Sequence, residues 1–223
     1  MIGVLSGLAG CDRSGEEPRA APIAAGIGAE RPTVVFLGTS LTAGYGLEPE
    51  EAYPALLQEK IDSAGLNYRV VNAGVSGETS AGARRRMDWL LREPVGVLVV
   101  ETGANDGLRG LPPDSLRANI QAVLARAREL RPAPRLVLLG MRIPPNYGLS
   151  YTRRFEAIYP ELAKANGAEL VPFLLQGVGG VAALNQPDGV HPTAQGQRRM
   201  AETVWRVLEP VLREAEKTKA LSG

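Results

Sequence analysis

A chain of 223 residues, 44% of them apolar, is long enough for one packed domain, and 25 Lys and Arg against 24 Asp and Glu leave a net charge of only +1. That balance provides no field for nucleic acid or for an anionic membrane surface. One cysteine excludes an intrachain disulfide and a cysteine zinc cluster, and one histidine excludes a His-based catalytic metal site, so no metal or other cofactor is expected.

Residues 1–11, MIGVLSGLAGC, form a short apolar run of the kind found in a secretory signal, too short for the roughly 20 residues of a spanning helix. Its last four residues, Leu8-Ala9-Gly10-Cys11, resemble a bacterial lipobox. The alternative is an unprocessed apolar end. The resemblance implies cleavage before Cys11, lipidation of that cysteine, and a periplasmic lipoprotein whose only membrane contact is this anchor. Asp12 resembles an inner-membrane retention signal. Residues 12–31 are rich in Pro, Gly, Ala and charge without helical or strand period, which predicts a flexible tether.

From residue 32 apolar runs alternate with amphipathic stretches. The runs are 33–37, 68–72, 95–100, 136–139 and a weaker 169–171. They are near-continuously apolar and rich in β-branched residues, as strands of a parallel sheet covered on both faces are. Helical periods fall at about 51–64, 79–92, 114–130 and 152–166, and a last one runs from near Thr193 to about Ala215. In the second of these, Arg84-Arg85-Arg86 reads as a solvated helix face. In the last, Met200, Val204, Val207, Leu208 and Val211 recur at helical spacing and predict a core-facing stripe. The order predicts an α/β three-layer sandwich over 32–215 with right-handed crossovers and a polar tail at 216–223.

In an open parallel sheet, ligands bind outside the carboxyl ends of the strands. The segments there are Gly38-Thr39-Ser40-Leu41, Asn72-Ala73-Gly74, Gly103-Ala104-Asn105-Asp106, the 140–148 loop, and Asp188-Gly189-Val190-His191-Pro192. A serine hydroxyl is a weak nucleophile and needs a neighbouring base. His191 is a base of the right type, and Asp188 can hold its Nδ1–H and so its tautomer. The Ser40 and Gly74 N–H groups and the Asn105 amide are suitable donors for an oxyanion. Taken one at a time these are ordinary turn, cap or packing residues; their joint occurrence at successive strand ends carries the reading.

Those four blocks, with "GANDGLRGLPP", "GMRIPPNYG" and "FEAIYPELAKANGAELVPFLL", resemble the SGNH (GDSL) hydrolase superfamily, in its arylesterase, thioesterase I and lysophospholipase branch. The resemblance covers about 33–212. It implies a five-stranded sheet of flavodoxin-like order 2-1-3-4-5 and a serine esterase acting on acyl esters, thioesters or lysophospholipids through an acyl-enzyme. It also implies Ser40 as nucleophile, Ser40, Gly74 and Asn105 as the oxyanion hole, His191 as base and Asp188 as its orienting acid. The 107–113 loop would border an acyl groove, with Leu108 and Leu111 as apolar wall and Gly107 and Gly110 letting it move. Met141, Ile143 and Tyr147 would line the same groove. One departure is Thr39, which stands where the family name has aspartate; threonine can still hydrogen-bond locally. Three other readings are a carbohydrate O-deacetylase on this scaffold, a binding module that keeps it without catalysis, and a flavodoxin-like nucleotide binder. The last lacks a G-x-x-x-x-G-K phosphate loop, and an α/β-hydrolase elbow would need glycine where Thr42 stands.

Overall fold

The computed structural model describes residues 31–222, so the expectations for the signal, for Cys11 and for most of the tether lie outside the described residues. The chain runs β1 (Thr33–Gly38), α1 (Ser40–Ala43), α2 (Tyr53–Ser63), β2 (Arg69–Gly74), α3 (Ser80–Leu90), β3 (Val97–Glu101), α4 (Ala104–Leu108), α5 (Pro113–Arg128), β4 (Arg135–Leu139), α6 (Leu149–Asn166), β5 (Glu169–Val171) and α7 (Ala194–Ser222). The strands form one sheet in the order β2-β1-β3-β4-β5. Every pairing is parallel, with Gly38 opposite Gly74, Val34 opposite Val97, Val97 opposite Arg135 and Val137 opposite Glu169. The sandwich and strand order expected from the sequence are those of the structure.

Burial explains which runs read clearly. β1 and β3 are buried at every position because helices cover both faces. β2 departs from that expectation: it is the edge strand, with Arg69 and Asn72 exposed and Val70, Val71 and Ala73 half-buried. On one side α3 packs on α5 and α5 on α6; separately, α2 packs on α7. In the core, the rings of Phe36 and Tyr53 meet edge-to-face at 5.6 Å.

Helix α7 buries Met200, Val204, Leu208 and Val211, as the periodicity predicts, and Leu212 beside them, whereas Val207 is only half-buried. The helix also runs through the segment read as a polar tail, to Ser222. Glu214, Ala215, Glu216 and Lys217 are good helix formers, and surface polarity does not stop a helix. Glu216 Oε1 accepts the Asn67 N–H at 3.1 Å, which ties the extension to the domain.

Two short helices, α1 and α4, carry no periodic signal because a single turn is too short to show one. Both sit at carboxyl ends of central strands and begin the loops that build the site.

Candidate active site

Ser40 is the first residue of α1, a single turn closed by Ala43 N–H to Thr39 O (2.9 Å) and stopped by Gly44 at φ +74°. A first-turn N–H has no partner inside its own helix, and the Ser40 N–H donates to no described residue. The turn is tight: a Cβ on Gly38 would lie 1.9 Å from Thr42 Oγ1.

Beneath the turn lies Glu101, the last residue of β3 and only 1% exposed. Its carboxylate accepts the Thr39 N–H (2.7 Å), the Thr39 hydroxyl (3.0 Å) and the Thr42 hydroxyl (2.9 Å). Burial raises its carboxyl above the ordinary carboxylate range, and these hydrogen bonds oppose the shift. Thr39 therefore anchors the nucleophile loop through Glu101. Gln197, buried on the first turn of α7, adds a second tie: it donates to Leu41 O (3.2 Å) and accepts from Tyr53 N–H (2.9 Å).

The second loop is zipped onto the first by Val75 N–H to Gly38 O (2.9 Å). Here the structure corrects one expectation. The Gly74 N–H donates to Asn72 Oδ1 (3.0 Å), so it is not a free oxyanion donor. Gly74 serves close packing instead, since a Cβ there would fall 2.3 Å from Ala43 N. Three residues on, Gly77 has φ +77° and its N–H donates to no described residue. The following residue, Glu78, offers its carbonyl to Asn105 Nδ2 at 3.0 Å, which leaves the second amide hydrogen of Asn105 free. Asp106, beside the half-buried Asn105 but itself buried, accepts the Ser80 N–H at 2.8 Å and so holds the start of α3. Arg86 is no solvated face either. It makes two bonds to Glu78, at 2.8 and 2.9 Å from Nε, and reaches Gly38 O at 3.1 Å, coupling both loops.

The histidine loop is braced from both sides. Asn185 and Pro192 form an isolated antiparallel bridge, and Gln186 bonds Tyr45 O (2.7 Å) and Pro192 O (3.0 Å). The Asp188 carboxylate closes the turn: Oδ1 accepts the N–H groups of Val190 (2.9 Å) and His191 (3.0 Å), and Oδ2 faces His191 Nδ1 at 2.7 Å. Those bonds, led by the His191 N–H, lower the Asp188 carboxyl from 3.8 to about 2. An ionised carboxylate only accepts, so Nδ1 carries the proton and Nε2 presents its lone pair. Nε2 lies 3.0 Å from Ser40 Oγ, although 151 residues separate the two in sequence. The Tyr45 ring rests on the imidazole at 4.5 Å between centroids.

Ser40, Asn105 and His191 line a cleft of about 500 Å³, walled on its apolar side by Leu108, Met141 and Ile143. Leu111 and Tyr147, expected on the same wall, stand outside it: Tyr147 Oη bonds Leu108 O (2.8 Å), and Leu111 O is bonded by Tyr151 Oη (2.6 Å). The two tyrosines hold the loop through its carbonyls. Gly107 is closely packed within α4, where a Cβ would meet Ile143 Cγ2 at 2.3 Å; Gly110, at φ +64°, has open space around it. Among the described residues no group of three or more His, Cys, Asp or Glu side chains could hold a metal.

The profile of the GDSL-like lipase/acylhydrolase family matches residues 36–199. Esterase TesA of Pseudomonas aeruginosa is 43% identical over 181 residues, which cover 81% of this chain and 89% of that one. Thioesterase 1/protease 1/lysophospholipase L1 of Escherichia coli is 38% identical over 182 residues, 81% of this chain and 85% of its own. The crystal structure of a protein named TesA superposes with a TM-score of 0.76 at 42% identity, covering 80% of this chain and 98% of that one. Fold, strand-end loops and these likenesses agree: the chain belongs to the GDSL-like lipase/acylhydrolase family.

Proposed function

We propose that the protein is a serine esterase, a carboxylic ester hydrolase whose substrates are acyl esters, thioesters or lysophospholipids, the activities named in its relatives. The observation that carries the reading is the continuous chain Asp188–His191–Ser40, with links of 2.7 and 3.0 Å. Ser40 Oγ attacks the acyl carbon while its proton passes to His191 Nε2. The carbonyl oxygen becomes an oxyanion, held by the Ser40 N–H, the Gly77 N–H and the free amide hydrogen of Asn105. Gly77 takes the place that the sequence assigned to Gly74, because its N–H is unengaged and its neighbour Glu78 is bonded to Asn105. Collapse expels the alcohol or thiol, which takes the proton from His191. Water, deprotonated by the same imidazole, then releases the acid from Ser40.

Asn105→Ala tests the hole. Loss of one preorganised donor should lower kcat by about 10²–10³-fold with the KM for a p-nitrophenyl ester little changed. A near-normal kcat would remove Asn105 from this role.

The pH profile tests the base. Asp188, with its carboxyl at about 2, stays ionised at all higher pH, and what it contributes is lost only as pH falls towards that value. Acidification from about pH 8 to 5 should therefore lower kcat/KM along one limb, because a general base that already holds a proton cannot take one from Ser40, while Asp188 stays ionised throughout. A flat profile over that range would contradict the assignment of His191 as base.

For the segment before the described residues, the lipobox remains our reading. It makes the enzyme periplasmic and held to the membrane through Cys11. Mass analysis of the N-terminal peptide from membranes, wild type against Cys11→Ser, checks it: the acylated mass should appear only in wild type.

A further inference from the structure

One cation in the cleft has no task in the mechanism above. Arg142 follows Met141 on the cleft wall, exposed, with its guanidinium carbon 4.9 Å from the centre of the Phe173 ring. It makes no hydrogen bond or ion pair to any described residue. Arg86, Arg117, Arg126 and Arg154, by contrast, each meet a carboxylate. No Asp or Glu is among the described residues that line the cleft, so Arg142 is its one permanent charge. An arginine resting on an aromatic face keeps its in-plane N–H groups free, and that fork matches the oxygens of an oxyanion two at a time. The same cleft offers an acyl chain the apolar wall of Leu108, Met141 and Ile143. The anion is therefore best carried by the leaving group.

We propose that Arg142 is a subsite for a phosphate on the leaving group, so that phosphate-bearing acyl esters or thioesters are favoured over neutral esters of the same acid. This rests on the esterase reading of the cleft. Two sources share the chemistry, a coenzyme A phosphate and a glycerophospholipid headgroup, and the test separates them.

The experiment measures kcat/KM of wild type, Arg142→Gln and Arg142→Lys on decanoyl-coenzyme A, 1-decanoyl-lysophosphatidylcholine, monodecanoylglycerol and p-nitrophenyl decanoate. Loss of a charge-assisted contact in Arg142→Gln should cut the ratio of phosphate-bearing to neutral substrate by about ten- to a hundredfold, mainly through KM, with Arg142→Lys between. The wild-type preference should also shrink with added salt. A fall confined to the thioester names the coenzyme, and one confined to the lysophospholipid names the headgroup. Ratios for both that match wild type in Arg142→Gln would overturn the subsite while leaving the esterase reading intact. No turnover of either neutral ester by folded wild type would instead remove the esterase reading, and the subsite with it.

Discussion

Ser40→Ala should lower kcat on a p-nitrophenyl ester by roughly 10⁶-fold, His191→Ala should do nearly the same, and the double variant should be no worse than either alone. Without Oγ no acyl-enzyme forms. Without the imidazole, 3.0 Å away, Oγ has no acceptor for its proton at the moment of attack. The two groups act as one device, so their losses do not add. Substrate bound over the oxyanion donors would keep a small residual rate. The fold should survive Ser40→Ala, because α1 is anchored by the Thr39 and Thr42 bonds to Glu101 and by Gln197 to Leu41 O. A Ser40→Ala variant that kept more than about a hundredth of the wild-type rate would remove Ser40 from the nucleophile's role.

Glu101→Ala should be the most destabilising change near the site. The substitution strands two buried donors, the Thr39 N–H and the Thr39 hydroxyl, and leaves the Thr42 hydroxyl only Tyr53 Oη at 2.8 Å as partner. Each unsatisfied buried donor costs about 1–3 kcal/mol, partly relieved if water enters, so a total loss of about 3 kcal/mol is expected. For a domain of this size that is a fall in Tm of roughly 6–12 °C. Activity should fall too, because Ser40 rides on the segment that Glu101 grips. Glu101→Gln keeps the shape and one acceptor oxygen, so it should lose less of both. Calorimetry and kcat measured on the same samples check this. A Glu101→Ala protein with wild-type Tm would show that the carboxylate does not anchor the loop.

The legible parts of this molecule were local or marked by rarity. β1, β3 and β4 announce themselves because burial on both faces demands unbroken apolar runs. Asp188 and His191 are three residues apart in one turn, and His191 is the one histidine in the chain. What escaped were pairings made by the fold. Glu101 looks like a strand end in sequence, and its meaning comes from Thr39 and Thr42, 62 and 59 residues away. Arg86 looked solvated because the helix period says nothing of Glu78 and Gly38 beside it. Gly74 and Gly77 are both plausible turn glycines; a side-chain bond from Asn72 decides which N–H is already engaged. Leu111 and Tyr147 lie in the right segments but do not line the cleft, and the hydroxyls of Tyr147 and Tyr151 bond the loop carbonyls of Leu108 and Leu111 instead.

The most direct test of the central claim, that Ser40 is activated by His191 to attack an acyl carbon, is covalent trapping. Wild type and Ser40→Ala are each incubated with a fluorophosphonate, digested and read by peptide mass spectrometry. The account predicts one adduct, on Ser40, formed in step with the loss of esterase activity and missing from the variant. An adduct on any other residue, or full inactivation with Ser40 unmodified, would contradict it.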